Sequence, residues 1–230
     1  MRFKDVFSII GPVMVGPSSS HTAGAARIGR VARHLLGKQP EEAVITFYGS
    51  FAATYQGHGT DRAIVGGLLD YTTDDSRIPT ALLRAEEAGM TVRFEEGRGG
   101  MRHPNTARIE VTCDGGQTKL SIIGISIGGG NIEIQEIDDF NIKLTGIYPT
   151  LVIRHFDLPG VIAGITRELS THGVNIAHMS VDRKSRNGLA MTVVELDGHA
   201  DESAIQHLQE MESLKWIGRV DLSEPSAVSN

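Results

Sequence analysis

The sequence predicts an α/β (α+β) protein in two parts, a mixed α/β domain followed by a smaller βαββαβ domain. Three observations lead there. Apolar residues recur at helical spacing in some segments and alternate in others. Glycine, proline and Asn-Gly punctuation cuts these segments into short elements. The pattern also changes near Gly146–Pro149, which gives a first domain over 1–147, a second over 148–223 and a tail over 224–230.

The second domain reads more cleanly. Leu151-Val152-Ile153-Arg154 is a β-type run and Asp157-Leu158-Pro159-Gly160 a turn. Val161, Ile162, Ile165 and Leu169 then share a helix face, with Gly173 as a left-handed stop. Val174 to Val181 and Leu189 to Leu196 read as strands joined through an Asn187-Gly188 hairpin turn. Asp201 caps a helix carrying Ile205, Leu208 and Met211, and Lys215 to Leu222 closes with a strand. This order is ferredoxin-like.

In the first domain, Thr22 to Leu36 predicts a helix ended by Gly37, and Ala43 to Tyr48 a strand. Helical patterns follow at Phe51–Gln56, Thr60–Asp70 and Pro79–Ala88, with Pro79 suited to a first turn. Strand-like runs occupy Thr91–Glu95, Thr106–Thr112, Lys119–Ile127 and Ile132–Ile137.

Composition narrows the functional classes. With 40% hydrophobic and 22% charged residues, the 230-residue chain is not a wholly disordered one. Its net charge of −6 offers no surface for nucleic acid. Val6 to Ala26 carry no formal charge, but Gly11-Pro12, Gly16-Pro17 and the Ser18-to-Thr22 run argue against a membrane span. Asp5 and the Gly-Pro break argue against a signal peptide, despite Arg2 and Lys4 ahead of an apolar run. Cys113 is the only cysteine. It excludes an intrachain disulfide and, within this chain, an iron–sulfur cluster or a cysteine-rich zinc site. A cytoplasmic location is the expectation.

Three polar clusters invite chemistry. The first, Gly16-Pro17-Ser18-Ser19-Ser20-His21-Thr22-Ala23-Gly24, opens a helix, where free N–H groups and several hydroxyls suit a carboxylate or phosphate. One serine capping the helix explains only part of it. The run lacks the Gly-Lys-Ser/Thr of a P-loop. In the second, Gln56-Gly57-His58-Gly59-Thr60-Asp61, a histidine stands between glycines, either projecting into a cleft or merely solvated at a turn. The third, Arg98-Gly99-Gly100-Met101-Arg102-His103-Pro104-Asn105-Thr106, reads as a polar contact loop or as a flexible basic hairpin. His34, His172, His199 and His207 have no companions in the sequence and read as surface or packing residues. Acyl-transfer chemistry on Ser20 and His21 is disfavoured, because adjacent residues rarely face each other and no Gly-x-Ser-x-Gly elbow is present.

Taken in order, Gly16 to Thr22, Gly57 to Asp61 and His103 to Thr106 resemble the β subunit of bacterial iron–sulfur-dependent L-serine dehydratases (L-serine ammonia-lyases). His155 to Val161 with Gly173-Val174-Asn175-Ile176-Ala177 resembles an ACT domain. The first domain is then similar to a substrate-binding-like domain of some phosphoglycerate dehydrogenases.

The resemblance implies a two-chain enzyme turning L-serine into pyruvate and ammonia. A [4Fe–4S] cluster ligated by the α subunit would act as Lewis acid, with no metal held by this chain. Ser18, Ser19, Ser20, His21 and Thr22 would grip the substrate carboxylate. His58 would be the base or orient it, and His103 with Asn105 and Thr106 would complete the wall. His155, Asp157, Gly160 and Asn175 fall at effector-contact positions of the ACT domain. Asp157 stands where an Asn is expected, which leaves serine, a monovalent cation and ACT-mediated dimerisation all open. The competing class is a non-catalytic ACT protein that senses an amino acid.

Overall fold

A computed structural model describes residues 13–99 and 103–223. The signal-like start, Arg102 and the 224–230 tail lie outside the described residues. None of the helices described is long and apolar enough to cross a membrane. The chain forms two compact units, 1–139 and 140–230, dividing ahead of the Gly146–Pro149 stretch.

In the first unit a π-helical turn, Ser19–Ala23, runs into α1 (Gly24–Leu36), which Gly37 ends in the left-handed region. Then come β1 (Glu42–Tyr48), α2 (Gly49–Thr54), α3 (Thr60–Leu68), a 3₁₀ turn (Ile78–Thr80) and α4 (Ala81–Glu87). Strands β2 (Thr91–Glu96), β3 (Asn105–Cys113), β4 (Thr118–Gly128) and β5 (Asn131–Ile137) complete the unit. Within this unit the strand order is β2-β1-β3-β4-β5. β1 and β2 are parallel, as the helical crossover between them requires, and the other pairs are antiparallel. Ala107, Ile109, Val111 and Cys113 of β3 are buried while Glu110 is exposed, so the strand's two-residue period sends one face to the helices.

Helix α1 is the centre of the unit, with Ala25, Ala26, Ile28, Val31 and Ala32 fully buried. Two devices bring it so close to its neighbours. On the sheet side Ile28 occupies the place a Cβ on Gly124 would take, 2.7 Å away. On the other side α1 and α3 touch backbone to backbone. A Cβ on Gly29 would stand 2.2 Å from the Ile64 carbonyl, and one on Gly67 2.1 Å from the Ala26 carbonyl. The far end of this pair is closed by Asp70, which accepts from Arg30 Nε at 3.0 Å and pairs with His34 Nε2 at 2.8 Å. Burial alone would raise the Asp70 carboxyl, but the bonds from His34 and Arg30 outweigh it and hold it at about 2.

The second unit opens with β6 (Phe140–Leu144), a strand the sequence reading did not assign. It continues with β7 (Thr150–Phe156), α5 (Val161–Thr171), β8 (Ile176–Arg183), β9 (Leu189–Leu196), α6 (Glu202–Gln209) and β10 (Leu214–Val220). The sheet order β10-β7-β9-β8 is antiparallel throughout, giving the expected βαββαβ fold. Asn187 has φ 60° in the hairpin, as an Asn-Gly turn demands. Leu151, Ile153, Val194 and Leu196 of the sheet pack against Ile165 and Leu169 of α5 and Ile205 and Leu208 of α6.

Candidate functional site

The serine run forms a wide turn held by its own polar groups. Ser18 is the cap: its Oγ accepts from the His21 N–H at 3.2 Å. Its carbonyl accepts from the Thr22 N–H at 2.8 Å. His21 Nδ1 lies 3.3 Å from Ser20 Oγ and 3.4 Å from Ser18 Oγ. Ser18, Ser19 and Ser20 are half-buried, and His21 and Thr22 buried. The His21 and Thr22 amides are thus taken up by Ser18, and the polar groups that the turn offers are the half-buried serine hydroxyls.

The second cluster docks onto the first. His58 is exposed, and its ring meets that of His21 edge to face. The Thr22 hydroxyl donates to the His58 carbonyl at 3.5 Å, and Gly59 caps α3 with φ 68°. Burial lowers the His21 pKa, the nearby His58 lowers it further, and a hydrogen bond to the Ser50 backbone opposes both. His21 therefore favours its neutral form more than an ordinary histidine does. At the start of α3, Asp61 accepts from the Arg62 N–H at 2.8 Å, and burial pushes its carboxyl up. Thr60 Oγ1 is buried without a hydrogen-bond partner.

The third cluster joins through α2. His21 Nε2 is 3.2 Å from Ser50 Oγ, and the Ser50 N–H donates to the Pro104 carbonyl at 2.7 Å. Gly49 makes this possible: it sits at φ 57°, and a Cβ there would stand 2.6 Å from the Pro104 oxygen. His103 Nδ1 accepts from the Asn105 N–H at 3.2 Å, which leaves its proton on Nε2 when the ring is neutral. The Asn105 amide donates to the Ser126 carbonyl at 3.4 Å, and the Thr106 hydroxyl to the His103 carbonyl at 2.6 Å. Thr106 is buried and turned to this internal bond.

A cleft of about 160 Å³ opens beside the first two clusters. Thr22, Gly57, His58, Gly59 and Arg62 line it, with Val15 and Ile78 among its apolar walls. Two residues, one lining the cleft and one behind it, were missed in the sequence. Arg62 supplies the positive charge an anion needs, and only its place two residues after Thr60 in a cluster already singled out pointed to it. Ser50 couples His21 to the third cluster, and its signal was the Gly49-Ser50 pair at the end of a strand.

The ACT-type positions are not brought together in the same way. His155 is buried, its Nδ1 2.8 Å from the Phe156 carbonyl and its Nε2 2.8 Å from Thr192 Oγ1, so both nitrogens are committed inside the sheet. Asp157 pairs with Arg183 Nη1 at 3.1 Å, which meets its charge from within the unit. Gly160 begins α5 at φ 88° and lines an open cleft of about 660 Å³ with Phe156, Leu158, Val161 and Met211. Asn175 lies beyond the other end of α5, roughly 16 Å along the helix at ~1.5 Å per residue, and donates to Asp197. The histidines read as lacking companions do have them. His34 pairs with Asp70, His199 Nδ1 lies 3.4 Å from Asp221, and His172 and His207 meet at Glu168. Tertiary packing supplies partners that adjacency in sequence does not.

Residues 3–137 match the family of serine dehydratase beta chains, and residues 150–213 match the ACT domain. The chain is 47% identical over 220 residues to the probable L-serine dehydratase, beta chain, of Bacillus subtilis (strain 168), covering 96% of this chain and 99% of that one. It is 35% identical over 221 residues to the L-serine dehydratase, beta chain, of Peptoniphilus asaccharolyticus, covering 94% and 99%. Over 114 residues it is 29% identical to a D-3-phosphoglycerate dehydrogenase of Methanocaldococcus jannaschii, which is 50% of this chain and 22% of that enzyme. The chain therefore belongs to the serine dehydratase beta-chain family and carries an ACT domain over residues 150–213.

Proposed function

We propose that this chain is the β subunit of a two-chain L-serine ammonia-lyase, and that its share of the reaction is to hold the amino acid and take its α-proton. The observation that carries the reading is the cleft where His58, resting on a neutral His21, faces Thr22 and Arg62. At about 160 Å³ it is small beside the roughly 300–1,000 Å³ of drug-sized pockets, which suits a three-carbon substrate.

Arg62 and the serine hydroxyls of the Ser18–Thr22 turn would receive the carboxylate through charge-assisted hydrogen bonds. His58 would accept the Cα proton. Its neighbour matters at that moment, because a neutral His21 imposes no like charge on the imidazolium that forms. His103, with Nε2 as donor, and Asn105 would line the approach through the Ser50–Pro104 link. The Cα–H electron pair would become a C=C bond as the β-hydroxyl departs and takes up a proton to leave as water, and the released enamine would then tautomerise and hydrolyse to pyruvate and ammonia without further help from the protein.

A [4Fe–4S] cluster does not fit this chain's own residues. Cys113 is its single thiol, and it is buried. Burial and Asp114 raise its pKa, the opposite of what a thiolate ligand needs. It stands at the far end of β3 from Asn105, about 26 Å away at ~3.3 Å per residue. The reading therefore gives the cluster to a partner α chain. The ACT unit would bind an effector or pair with another ACT domain at the cleft beside Gly160.

The test is His58→Ala in the enzyme reconstituted anaerobically with its partner. A kcat about 10²–10⁴-fold lower is expected; near-normal turnover would remove His58 from the reaction. A colourless homodimer that binds serine and recruits no cysteine-rich partner would instead favour an amino-acid sensor.

A further inference from the structure

Away from the cleft, α5 and α6 bring three ligating atoms together on the second unit. His172 Nε2 lies 3.1 Å from Glu168 Oε1 and 3.3 Å from His207 Nδ1, and His207 Nδ1 lies 2.9 Å from the same Glu168 oxygen. Glu168 and His172 share a face of α5 at i,i+4, and His207 comes from the last turn of α6. A hydrogen-bonded triangle of this kind is badly satisfied. With the His172 proton on Nδ1, its Nε2 lone pair faces the Glu168 oxygen 3.1 Å away, acceptor against acceptor, and the single proton on His207 Nδ1 is all that the three atoms have to share.

We propose that Glu168, His172 and His207 form a divalent transition-metal site, with Zn²⁺ as the natural occupant, that clamps α5 to α6. Edges of 2.9–3.3 Å are what three ligands of one ion present to each other. The circle through the three atoms has a radius of about 1.8 Å, so an ion 2.0–2.1 Å from each sits roughly 1 Å off their plane. Two imidazoles and one carboxylate select a borderline cation over Mg²⁺ or Ca²⁺, which prefer all-oxygen sites.

A second observation supports the site independently. His172 Nδ1 is 3.2 Å from Asp201 Oδ1, on the side of the ring away from Glu168. A carboxylate there keeps the proton on Nδ1 and frees the Nε2 lone pair for a metal, the usual outer partner of a ligating histidine. Asp201 is itself fixed by the Ala204 N–H at 2.7 Å as the cap of α6. Glu168 and His172 are mostly covered, whereas His207 is 51% exposed, so solvent reaches the open side and can complete the coordination. The site stands apart from the serine reading and gives this chain a metal ligand set its sequence did not suggest.

The test uses the full chain stripped with chelator. Zn²⁺ is titrated against a competing chelator, and Co²⁺ is followed by its visible absorption. One ion per chain at micromolar affinity or tighter is expected, with Zn²⁺ raising the melting temperature. His207→Ala, at a half-exposed position that the fold tolerates, should weaken binding at least tenfold and abolish the thermal shift. Asp201→Asn should weaken it about tenfold through His172. No binding by the wild-type chain, or binding and a Co²⁺ spectrum unchanged by His207→Ala, overturns the proposal.

Discussion

The rings of His21 and His58 meet edge to face with centroids 4.8 Å apart and planes at 74°. Their charges are consequently linked. Burial is the larger reason that His21 resists protonation, and His58 adds to it. Replacing His58 with Gln should raise the His21 pKa only part of the way to its ordinary 6.5, because the burial remains. Histidine ring resonances followed by NMR through pH 5–8 would show this, and an unmoved His21 would disprove the linkage.

The suppressed pKa of His21 also fixes the sign of an effect on stability. A histidine that protonates less readily folded than unfolded stabilises the fold in full above about 6.5, and that contribution fades as pH falls below it. His21→Asn should flatten this part of the stability–pH curve, measured by denaturant unfolding between pH 7 and 5.

Arg62 should act on binding before chemistry. Arg62→Ala is expected to raise KM for L-serine about tenfold or more with a smaller change in kcat, and Arg62→Lys to recover part of the loss. Steady-state kinetics of the reconstituted enzyme decide it. A kcat loss with an unchanged KM would place Arg62 elsewhere in the reaction.

Asp70 is a stability residue with an acid signature. Its carboxyl is held at about 2, so its contribution is complete above about pH 4 and is lost as pH falls toward 2. Because the side chain is 45% exposed, solvent screening leaves about 1 kcal/mol of it. Asp70→Asn should cost that amount at pH 7 and make the protein less sensitive between pH 4 and 2.

Gly67→Ala should cost about 1–3 kcal/mol or more, since the added methyl meets the Ala26 carbonyl at 2.1 Å and neither backbone can yield alone. Gly198→Ala, where nothing lies within 4 Å, is the matched control and should change the melting temperature little.

Most of the fold was legible because its elements are short, periodic and separated by glycine. β6 escaped although Phe140, Ile142 and Leu144 alternate, for it is five residues long and follows Asp138 and Asp139, both at positive φ, which read as loop. The three polar blocks stood out in the sequence, and the structure joins them through His21, Ser50 and Pro104. What adjacency cannot supply was missed. Arg62 became a candidate only when α3 turned it into the cleft, and Glu168 with His172 was readable as an i,i+4 pair while His207 needed α6 docked on α5.

The seam between α1 and α3 has a consequence for temperature. With carbonyls resting on glycine α-carbons, the spacing of α1 from α3 depends at these contacts on no rotamer that warming could populate differently. The serine-rich turn at its head should keep its shape until the whole unit melts, and activity should fall in one step with unfolding instead of drifting downward beforehand.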